Sequence, residues 1–531
     1  MLKVSTLILF FLIGFQTFSQ NLNISCEANL TSLFSDNITP FYFHSNNYGK
    51  YSYKSSFEGI MEGKCFLAWE NGDHFVVEAG IDGLAKDQLS DSYLHQAFVN
   101  FHYGPFQLKM GKEELWLSSL NEELSSGAFL FGNNHRPVPR IGLGIYEYTP
   151  VLFTKGCLEV KGFLHHGLLD EYRGTRGNSN IYLHEKQTYL RFAKGWIKPY
   201  LGMNHLALMG GKKPDGEKIP IDYWATFFAG GSDRLGGGEA TNAAGAHTGL
   251  EEAGIDLKKG AWKGKIYFQR PFSDGSGMKL LKAVNRDMIT GFQLSSNNKM
   301  LISGISYEYL KTTHQSGEGM PDPIINGMIL PSSINKTLDY EQFVLDTFGK
   351  SFPGMNRDMF IQFLEKEINH GKSFCGRDDY YNNGLYYAGN SYHGRSMGTP
   401  YFFSKDQIST FSKDFQAPYD LLFINNRVKA HFFALNGWLT QNLSYHIKMS
   451  FTVNHGTYTG KYTGRYKWDY VEDYFFDGGL KENYFNLVLR HSPECCDHWT
   501  LGLMVAKDWG EIYKSSAIGF NLSYRFTSFS K

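Results

Sequence analysis

Near the end of the sequence the chain reads Ile518-Gly-Phe-Asn-Leu-Ser-Tyr-Arg-Phe526, in which apolar residues alternate strictly with polar or small ones. Successive side chains of a β-strand point to opposite faces, so this strand has one apolar face and one polar face. A strand with lipid on one side and an aqueous lumen on the other requires this division. The pattern therefore predicts an all-β fold, a transmembrane antiparallel β-barrel.

The same period-two alternation recurs along the chain. It is clearest at residues 445–453, 57–70 and 75–82 and weaker at 93–103, 262–270 and 484–490, with glycine-rich turns between such stretches. Aromatic residues make up 16% of the chain and glycine 57 of its 531 residues, which suits the aromatic girdles and tight bends of a barrel. A soluble all-β fold is the alternative, because a sandwich would also alternate.

The first residues follow the order of a secretory signal peptide. Lys3 precedes an apolar stretch at residues 7–15, and Thr17-Phe-Ser19 offers small residues around an aromatic one. We expect residues 1–19 to be removed and residues 20–531 to form one barrel domain; an uncleaved membrane anchor is the alternative. No later segment approaches the ~18 uninterrupted apolar residues of a membrane-spanning helix. We therefore expect a protein exported to the outer membrane of a Gram-negative bacterium.

Charge and cysteine content bear on other classes of protein. The 52 basic and 52 acidic residues balance, so no nucleic-acid partner is indicated. The six cysteines show neither metal-ligand spacing nor the density of a disulfide scaffold, and they are Cys26, Cys65, Cys157, Cys375, Cys495 and Cys496. We predict buried or incidental thiols, and we expect no metal and no cofactor.

Two stretches break the strand pattern and favour helical insertions. Residues 112–124 carry four leucines close to helical spacing, at positions 115, 117, 120 and 124. Residues 338–371 contain an apolar helical stripe between Asn356 and His370. These insertions either pack on the end of the barrel or form a plug or partner-docking element.

Several polar, glycine-rich segments carry a family resemblance through their order along the chain. They are Asn133-Asn-His-Arg-Pro-Val-Pro139, His184-Glu-Lys186, Asn242-Ala-Ala-Gly-Ala-His247, Phe272-Ser-Asp-Gly-Ser-Gly-Met278, Thr312-Thr-His-Gln-Ser-Gly317, Asp378-Asp-Tyr-Tyr-Asn382 and His393-Gly-Arg-Ser-Met-Gly-Thr-Pro400. From about Cys65 to Phe526 the chain resembles the Wzi family of capsule assembly proteins in its Bacteroidetes-type form. It departs from the family pattern at Ala246, where an asparagine is expected, and at Asn285–Met288, where a shorter turn is typical.

The resemblance implies an eighteen-stranded outer-membrane barrel whose lumen is occluded by loops and helical insertions and whose periplasmic side is capped by helices. It also implies a lectin-like role, in which the protein binds exported capsular polysaccharide or exopolysaccharide and supports its assembly or attachment at the cell surface. The expected partners are this polysaccharide, outer-membrane lipid and lipopolysaccharide, and the barrel-insertion machinery. The alternative is a porin or transporter for small solutes or oligosaccharides.

One polar segment has the residue types that sugar recognition needs, which are flat apolar faces beside paired donors and acceptors. The candidate polysaccharide-binding residues are Asp378, Asp379, Tyr380, Tyr381, Asn382, His393 and Arg395. Among them, Arg395 could bind a uronic acid carboxylate through two hydrogen bonds. The alternative is a loop held together by its own turns and ion pairs.

A second set of residues is expected to form a polar network in the lumen or a plug. Its members are Arg136, Arg140, His247, Asp274, Arg286 and Gln315. Catalysis is not expected, because adjacent residues such as Asp378 and Asp379 point apart on a strand and make a poor acid–base pair. No hydrolase motif or phosphate-binding loop occurs. We therefore expect a binding protein rather than an enzyme.

Overall fold

Eighteen antiparallel strands form one sheet that closes on itself. Strand β1 (Leu22–Ser35) pairs with β2 (Phe57–Asn71) on one side and with the last strand, β18 (Lys514–Phe529), on the other. In lipid a sheet must close, because an open edge would leave backbone N–H and C=O groups without partners. The prediction of a transmembrane antiparallel barrel of about eighteen strands is confirmed.

The remaining barrel strands follow in chain order. They are β3 (Phe75–Lys86), β4 (Tyr93–Tyr103), β5 (Phe106–Lys112), β6 (Pro139–Pro150), β7 (Leu158–Leu169), β8 (Ile181–Phe192), β9 (Ile197–Met209), β10 (Ala246–Lys259), β11 (Trp262–Phe272), β12 (Met288–Ser296), β13 (Gly304–Lys311), β14 (Val428–Trp438), β15 (Leu443–Asn454), β16 (Leu480–His491) and β17 (Trp499–Gly510).

The helices are short and lie between strands. They are α1 (Phe41–His44), α2 (Tyr223–Phe228), α3 (Tyr340–Phe348), α4 (Lys405–Phe411) and α5 (Tyr458–Lys461), with a 3-10 turn at Leu89–Asp91. No helix in the described part of the chain is long and apolar enough to cross a membrane.

The structure is a computed structural model, and it describes most of the chain. The described residues are 22–72, 75–235, 243–273, 285–315, 339–356, 358–360, 362–363, 366, 379–416, 421–463, 469–494, 496 and 498–529. The predicted signal peptide at residues 1–19 and the predicted site residues Asp274 and Asp378 lie outside the described residues.

The two ends of the barrel differ in their connections. Short turns, such as residues 104–105 and 260–261, lie at the same end as Leu22 and Phe529. Long connections, such as residues 113–138 and 170–180, lie at the opposite end. In outer-membrane barrels short turns face the periplasm and long loops face outward. We therefore call the first the periplasmic end and the second the extracellular end. Helices α1–α5 all lie in connections at the extracellular end, so the expected helical cap on the periplasmic side is not found among the described residues.

The alternation read from the last strand holds in three dimensions. Ile518, Phe520 and Phe526 on β18 are between 41% and 50% exposed on the outer wall. Asn521 turns inward and its side-chain amide donates a hydrogen bond of 2.9 Å to Thr31 Oγ1 of β1. The outer wall of this strand therefore suits lipid and the inner wall suits a polar lumen.

The core of the molecule lies inside the barrel. Three segments enter the lumen, at residues 36–56, at residues 113–138 and at the described part of residues 379–427 (379–416 and 421–427), and we call them together the plug. Phe41 shows how they pack, since its ring stacks 4.2 Å from Tyr484 on the wall and 5.4 Å from Tyr401 of the plug. All three rings are fully buried or nearly so. The plug is therefore held by an aromatic core of the kind that ordinarily fills a soluble domain.

The predicted helix at residues 112–124 is wrong. Lys112 ends β5, and the rest of the stretch forms bends and turns. Two of its backbone N–H groups bond to the barrel wall, since Glu114 N–H donates to Gln96 Oε1 at 2.9 Å and Asn121 N–H donates to Gln293 Oε1 at 2.8 Å. The leucine spacing reflects packing inside the barrel, where Leu117 and Leu124 are buried. In the second stretch, residues 338–371, helix α3 occupies Tyr340–Phe348, and the described residues 358–360, 362–363 and 366 of the predicted stripe are also helical.

The prediction of incidental thiols is wrong for one pair of cysteines. Cys26 of β1 and Cys65 of β2 form a disulfide. The antiparallel register places them directly opposite each other, with Cα atoms 4.1 Å apart. Cys157 is a free thiol. The register between β1 and β2 decides that these two cysteines pair, and this register cannot be predicted from the spacing of cysteines in the sequence.

Candidate functional site

Four predicted polysaccharide-binding residues lie within the plug and bond to it. Asp379 Oδ1 accepts a hydrogen bond of 2.7 Å from Asn426 Nδ2, and Asn382 Nδ2 donates to the Phe423 carbonyl at 2.8 Å. The hydroxyl of Tyr380 donates to Asp287 at 2.9 Å, and that of Tyr381 donates to the Phe129 carbonyl. Both tyrosine rings are buried, so in this structure they offer no face to a sugar.

Arg395 and His393 lie in the next turn of the same segment. Arg395 is buried, donates to the His44 carbonyl at 3.2 Å, and lies 4.9 Å from the centre of the Tyr53 ring. Burial lowers the pKa of Arg395 to about 10. His393 is exposed, and its backbone N–H donates to Glu171. The guanidinium expected to bind a uronic acid therefore contacts residues of the plug instead.

Three members of the predicted polar network lie inside the barrel or at its extracellular rim. Arg140 of β6 donates to both carboxylate oxygens of Glu185 on β8. Gln315 is buried and its side-chain amide donates to the Asn426 side chain at 3.0 Å. The guanidinium of Arg136 lies 3.7 Å from the centre of the Tyr93 ring.

His247 and Arg286 do not belong to this lumenal network, and their prediction is corrected. On β10 the neighbouring Thr248 faces the lumen, where it contacts Asn390 of the plug, so His247 faces outward. Arg286 is exposed in the loop before β12, where its backbone N–H donates to His314 Nδ1 at 3.1 Å. Because adjacent residues of a strand face opposite sides, the lumenal position on this part of β10 belongs to Thr248 and not to His247.

His247 belongs to a row of four histidines on the outer wall of β7–β10. His166 Nε2 lies 3.3 Å from His184 Nδ1, and His205 Nε2 lies 2.9 Å from His247 Nδ1. Helix α2 covers part of the row, since its Phe227 ring lies 5.4 Å from His184 and its Tyr223 ring lies 5.7 Å from His166. The polar side chains on this part of the outer wall are thus shielded by a helix from the same chain.

A lumenal cavity of about 370 Å³ is the candidate ligand site. It lies between plug residues 42–51 and the inner wall of β1, β2 and β15–β18. It extends toward the periplasmic end, where Arg490 is the last residue but one of β16. Its lining combines amides, hydroxyls and charged groups with aromatic side chains of the plug, including Tyr42, Phe43, Tyr48 and Tyr51.

Part of the cavity lining has its hydrogen bonds satisfied within the protein. Lys50 Nζ lies 2.6 Å from Glu62, Asn29 Nδ2 donates to Glu62 at 2.8 Å, and the hydroxyl of Tyr48 donates to Glu122 at 3.0 Å. The carboxylates at the extracellular side of the cavity are therefore matched by groups of the protein. They hold the plug to the wall rather than offering sites to a ligand.

The periplasmic side of the cavity is different. Within the described residues, no carboxylate lies within 4.0 Å of the charged groups of Lys448 or Arg490. Two buried polar atoms beside them, Asn486 Oδ1 and His446 Nε2, also have no hydrogen-bond partner there. Buried polar groups are nearly always hydrogen-bonded, so such a cluster is a candidate for contact with a ligand or ordered water.

Sequence reasoning missed this cavity, although part of its signal was present. His446 and Lys448 occupy the polar face of the alternating stretch at residues 445–453, and Asn521 occupies that of the last strand. Their positions in the alternation correctly predict that these side chains face the lumen. That they lie close to Asn486 and Arg490 depends on how strands distant in sequence pair to close the barrel, and local periodicity does not encode this pairing.

Comparison with known proteins supports the fold. No protein-family model and no curated protein matches the chain. Among solved structures, the fold is similar to that of Wzi of Escherichia coli, an outer-membrane protein involved in group 1 capsule assembly and described as a carbohydrate-binding β-barrel. The TM-score is 0.52 at 10% identity, covering 96% of this chain and 84% of that one.

Two Pseudomonas aeruginosa barrels also align with the chain. OpdL covers 96% of this chain and 99% of its own at 8% identity and a TM-score of 0.43, and OprD covers 95% of both chains at 8% identity and a TM-score of 0.42. Together, the closed eighteen-stranded sheet and the likeness to Wzi establish that this chain has the fold of a Gram-negative outer-membrane β-barrel.

Proposed function

We propose that this barrel is a non-catalytic, Wzi-like outer-membrane protein that binds exported capsular polysaccharide or exopolysaccharide and supports its assembly or attachment at the cell surface. The observation that carries the proposal is the lumenal cavity, in which no carboxylate of the described residues lies within 4.0 Å of the charged groups of Lys448 and Arg490. A plug with an aromatic core fills the lumen beside it. Such a barrel is built to hold a ligand more than to pass one.

The cavity has the chemistry that an acidic saccharide requires. The guanidinium of Arg490 and the ammonium of Lys448 can each bind a sugar carboxylate, and charge-assisted hydrogen bonds are the strong ones. Asn486 Oδ1 is an acceptor for a sugar hydroxyl group, and His446 Nε2 accepts from or donates to one according to its tautomer. Aromatic rings of the plug supply apolar area for the C–H face of a pyranose. We therefore infer that the preferred sugar carries a carboxylate, as a uronic acid does.

Two further observations support the proposal. The Escherichia coli barrel that this fold resembles is described as carbohydrate-binding and as involved in capsule assembly. The ordered polar segments of the sequence resemble the Wzi family over nearly the whole chain after the predicted signal peptide. The segment first assigned to sugar binding, residues 378–395, then has a different role, because its described tyrosines and Arg395 build the plug.

Binding of the producing strain's own surface polysaccharide to the purified barrel tests the proposal. We expect saturable binding, weakened about ten-fold or more when Lys448→Ala and Arg490→Ala are combined, since each ten-fold step corresponds to about 1.4 kcal/mol. Lys299→Ala is the matched control, because this exposed lysine bonds to the Gln441 carbonyl outside the cavity. Deletion of the gene should release polysaccharide from cells without stopping its secretion. Absence of binding by the wild-type barrel would refute the proposal.

A second candidate function is passage of small anionic solutes, and one observation favours it. Another lumenal cavity of about 500 Å³ lies against β8–β12 near the periplasmic end. Five cationic residues line it: Arg191, Lys198, Lys258, Lys263 and Lys265. Arg191 and Lys265 are matched by Asp256, at 2.8 and 2.7 Å, so much of this charge is neutralised within the wall. A porin would need this cavity to continue past the plug.

A further inference from the structure

A β-bulge near the extracellular end of the β3–β4 pair turns a histidine into the lumen. Asp82 pairs with Gln96, but the next residue, Gly83, pairs with Leu94, so His95 is the extra residue of the bulge. Leu94 is 52% exposed on the outer wall, whereas His95 and Gln96 are both buried. Bulges of this kind re-aim a side chain and are frequent beside functional sites. Here the bulge places His95 beside Asp82 of the neighbouring strand.

Glu114 completes the group from the start of the plug. His95 Nε2 lies 2.8 Å from Glu114 Oε1. One ligand atom from each of Asp82, His95 and Glu114 lies within 4.8 Å of the others. Gln96 holds the arrangement, since its Nε2 donates to Asp82 Oδ2 at 3.1 Å and its Oε1 accepts from the Glu114 backbone N–H at 2.9 Å. A residue that orients ligand side chains in this way is typical of metal sites.

Two buried polar atoms of the group have no hydrogen-bond partner within the described residues. They are Asp82 Oδ1 and His95 Nδ1. Asp82 and His95 are 0% and 1% exposed. A cation beside Asp82 and Glu114 would take the lone pair of His95 Nε2, with the ring hydrogen on Nδ1. The buried Asp82 Oδ1, an acceptor without a donor, calls for a cation or a water molecule beside it.

The charge balance favours a cation. Lys50 lies 2.7 Å from Glu114 and 2.6 Å from Glu62. With Asp82, three carboxylates therefore share one ammonium. The next cation, Lys64, lies 4.0 Å from Glu62 and 3.4 Å from Glu27, and Glu27 is also paired with Arg525 at 2.8 Å. Counted with Glu27, four carboxylates face three cationic side chains, and a bound cation would offset the remaining negative charge whereas a water molecule would not.

We propose that Asp82, His95 and Glu114 bind a divalent transition-metal ion, such as Zn²⁺ or Mn²⁺, inside the extracellular rim of the barrel. One imidazole and two carboxylates, without a thiolate, form a donor set that such ions accept. The ion joins β3 and β4 of the wall to the first residues of the plug segment 113–138. Metal binding therefore fixes where this segment enters the lumen, independently of any saccharide.

Titration with Co²⁺ as a spectroscopic probe tests the site. The tag-free, full-length barrel is stripped with a chelator in detergent and titrated while visible absorption is followed. We expect one Co²⁺ per chain, displaced by Zn²⁺, and an affinity about ten-fold or more lower in His95→Ala and Asp82→Asn. The matched control is His102→Ala, which removes the imidazole of another His–Glu pair on the same two strands, where His102 lies 2.9 Å from Glu78.

Folding is monitored in the same samples, because a barrel variant that fails to fold would also lose the ion. Heat-dependent mobility on denaturing gels reports the folded barrel, and His95→Gln serves if His95→Ala does not fold. Zn²⁺ should raise the unfolding temperature of the wild-type barrel and of His102→Ala but not that of the His95 variants. Absence of stoichiometric Co²⁺ binding, or equal binding by the His95 and His102 variants, would overturn the proposal and leave water as the occupant.

Discussion

Arg140 and Glu185 are joined by two hydrogen bonds, of 2.7 and 3.0 Å, that cross the inner face of the intervening strand β7. Both side chains are almost completely buried. A buried ion pair contributes little over a well-packed apolar pair, but removal of one partner leaves a buried charge without compensation. This asymmetry predicts how variants of the pair behave.

Glu185→Ala should destabilise the barrel by about 3 kcal/mol or more, because the Arg140 guanidinium loses its counter-charge. The double variant Arg140→Met with Glu185→Leu should be closer to wild type, because both charges are gone and the volume is kept. Unfolding in urea, followed by tryptophan fluorescence in detergent, measures the three proteins. Equal stability of the single and double variants would contradict the assignment of the pair as a buried ion pair.

The raised pKa of Glu171, in the loop after β7, predicts that the stability of the barrel depends on pH. Burial raises its pKa from 4.5 to about 7, although Arg173 lies 3.1 Å away and opposes the shift. The folded state thus favours the protonated carboxyl. Its contribution to stability is present at pH values below the unfolded pKa and is lost as pH rises through the folded pKa of about 7. Glu171→Gln should therefore flatten the loss of stability between acidic and neutral pH. An unchanged pH profile in urea unfolding would contradict this.

Trp224 on α2 is predicted to lie in the membrane interface. Trp224 and Phe228 are 65% and 73% exposed on a helix that covers outward-facing histidines of the wall. Aromatic side chains concentrate at this level of the bilayer. In vesicles containing brominated lipid, Trp224→Phe should lower the fraction of tryptophan fluorescence that is quenched. The control Trp116→Phe, which alters a lumenal ring bonded to the Leu120 carbonyl, should not. Equal effects would place α2 away from lipid.

The cysteine pair of β1 and β2 predicts a specific covalent link. Non-reducing digestion followed by mass spectrometry should recover peptides joined through Cys26 and Cys65, as expected for an exported protein. Cys157 should react with an alkylating reagent in the unfolded protein without prior reduction. Alkylation of Cys26 and Cys65 under the same conditions would contradict the pairing.

Period-two alternation predicted the strands of the barrel, because lipid on one face and a lumen on the other impose it on each strand, whereas the number of eighteen came from the resemblance to the Wzi family. Ile518 and Phe520 are the clearest cases, since both are exposed on the outer wall. The pattern fails where the outer wall is covered by protein. His247 reads as a polar lumenal residue, yet it faces outward beneath the segment that carries α2, where a histidine is shielded from lipid.

Contacts between distant segments could not be predicted from the sequence. His95 faces the lumen because of a bulge, and the disulfide of Cys26 depends on strand register, and neither feature changes the local periodicity. Tyr380 and Tyr381 were recognised as a dense aromatic pair. Their burial follows from the plug closing around them, which the order of residues along the chain does not show.

Conductance across planar lipid bilayers separates a ligand-binding barrel from a porin most directly. The purified wild-type barrel is inserted and the current is recorded in single molecules at constant voltage. Because the plug fills the lumen with an aromatic core, insertion should give no large, steady conductance. A large and persistently open channel in most insertions would contradict the occluded, polysaccharide-binding barrel proposed here.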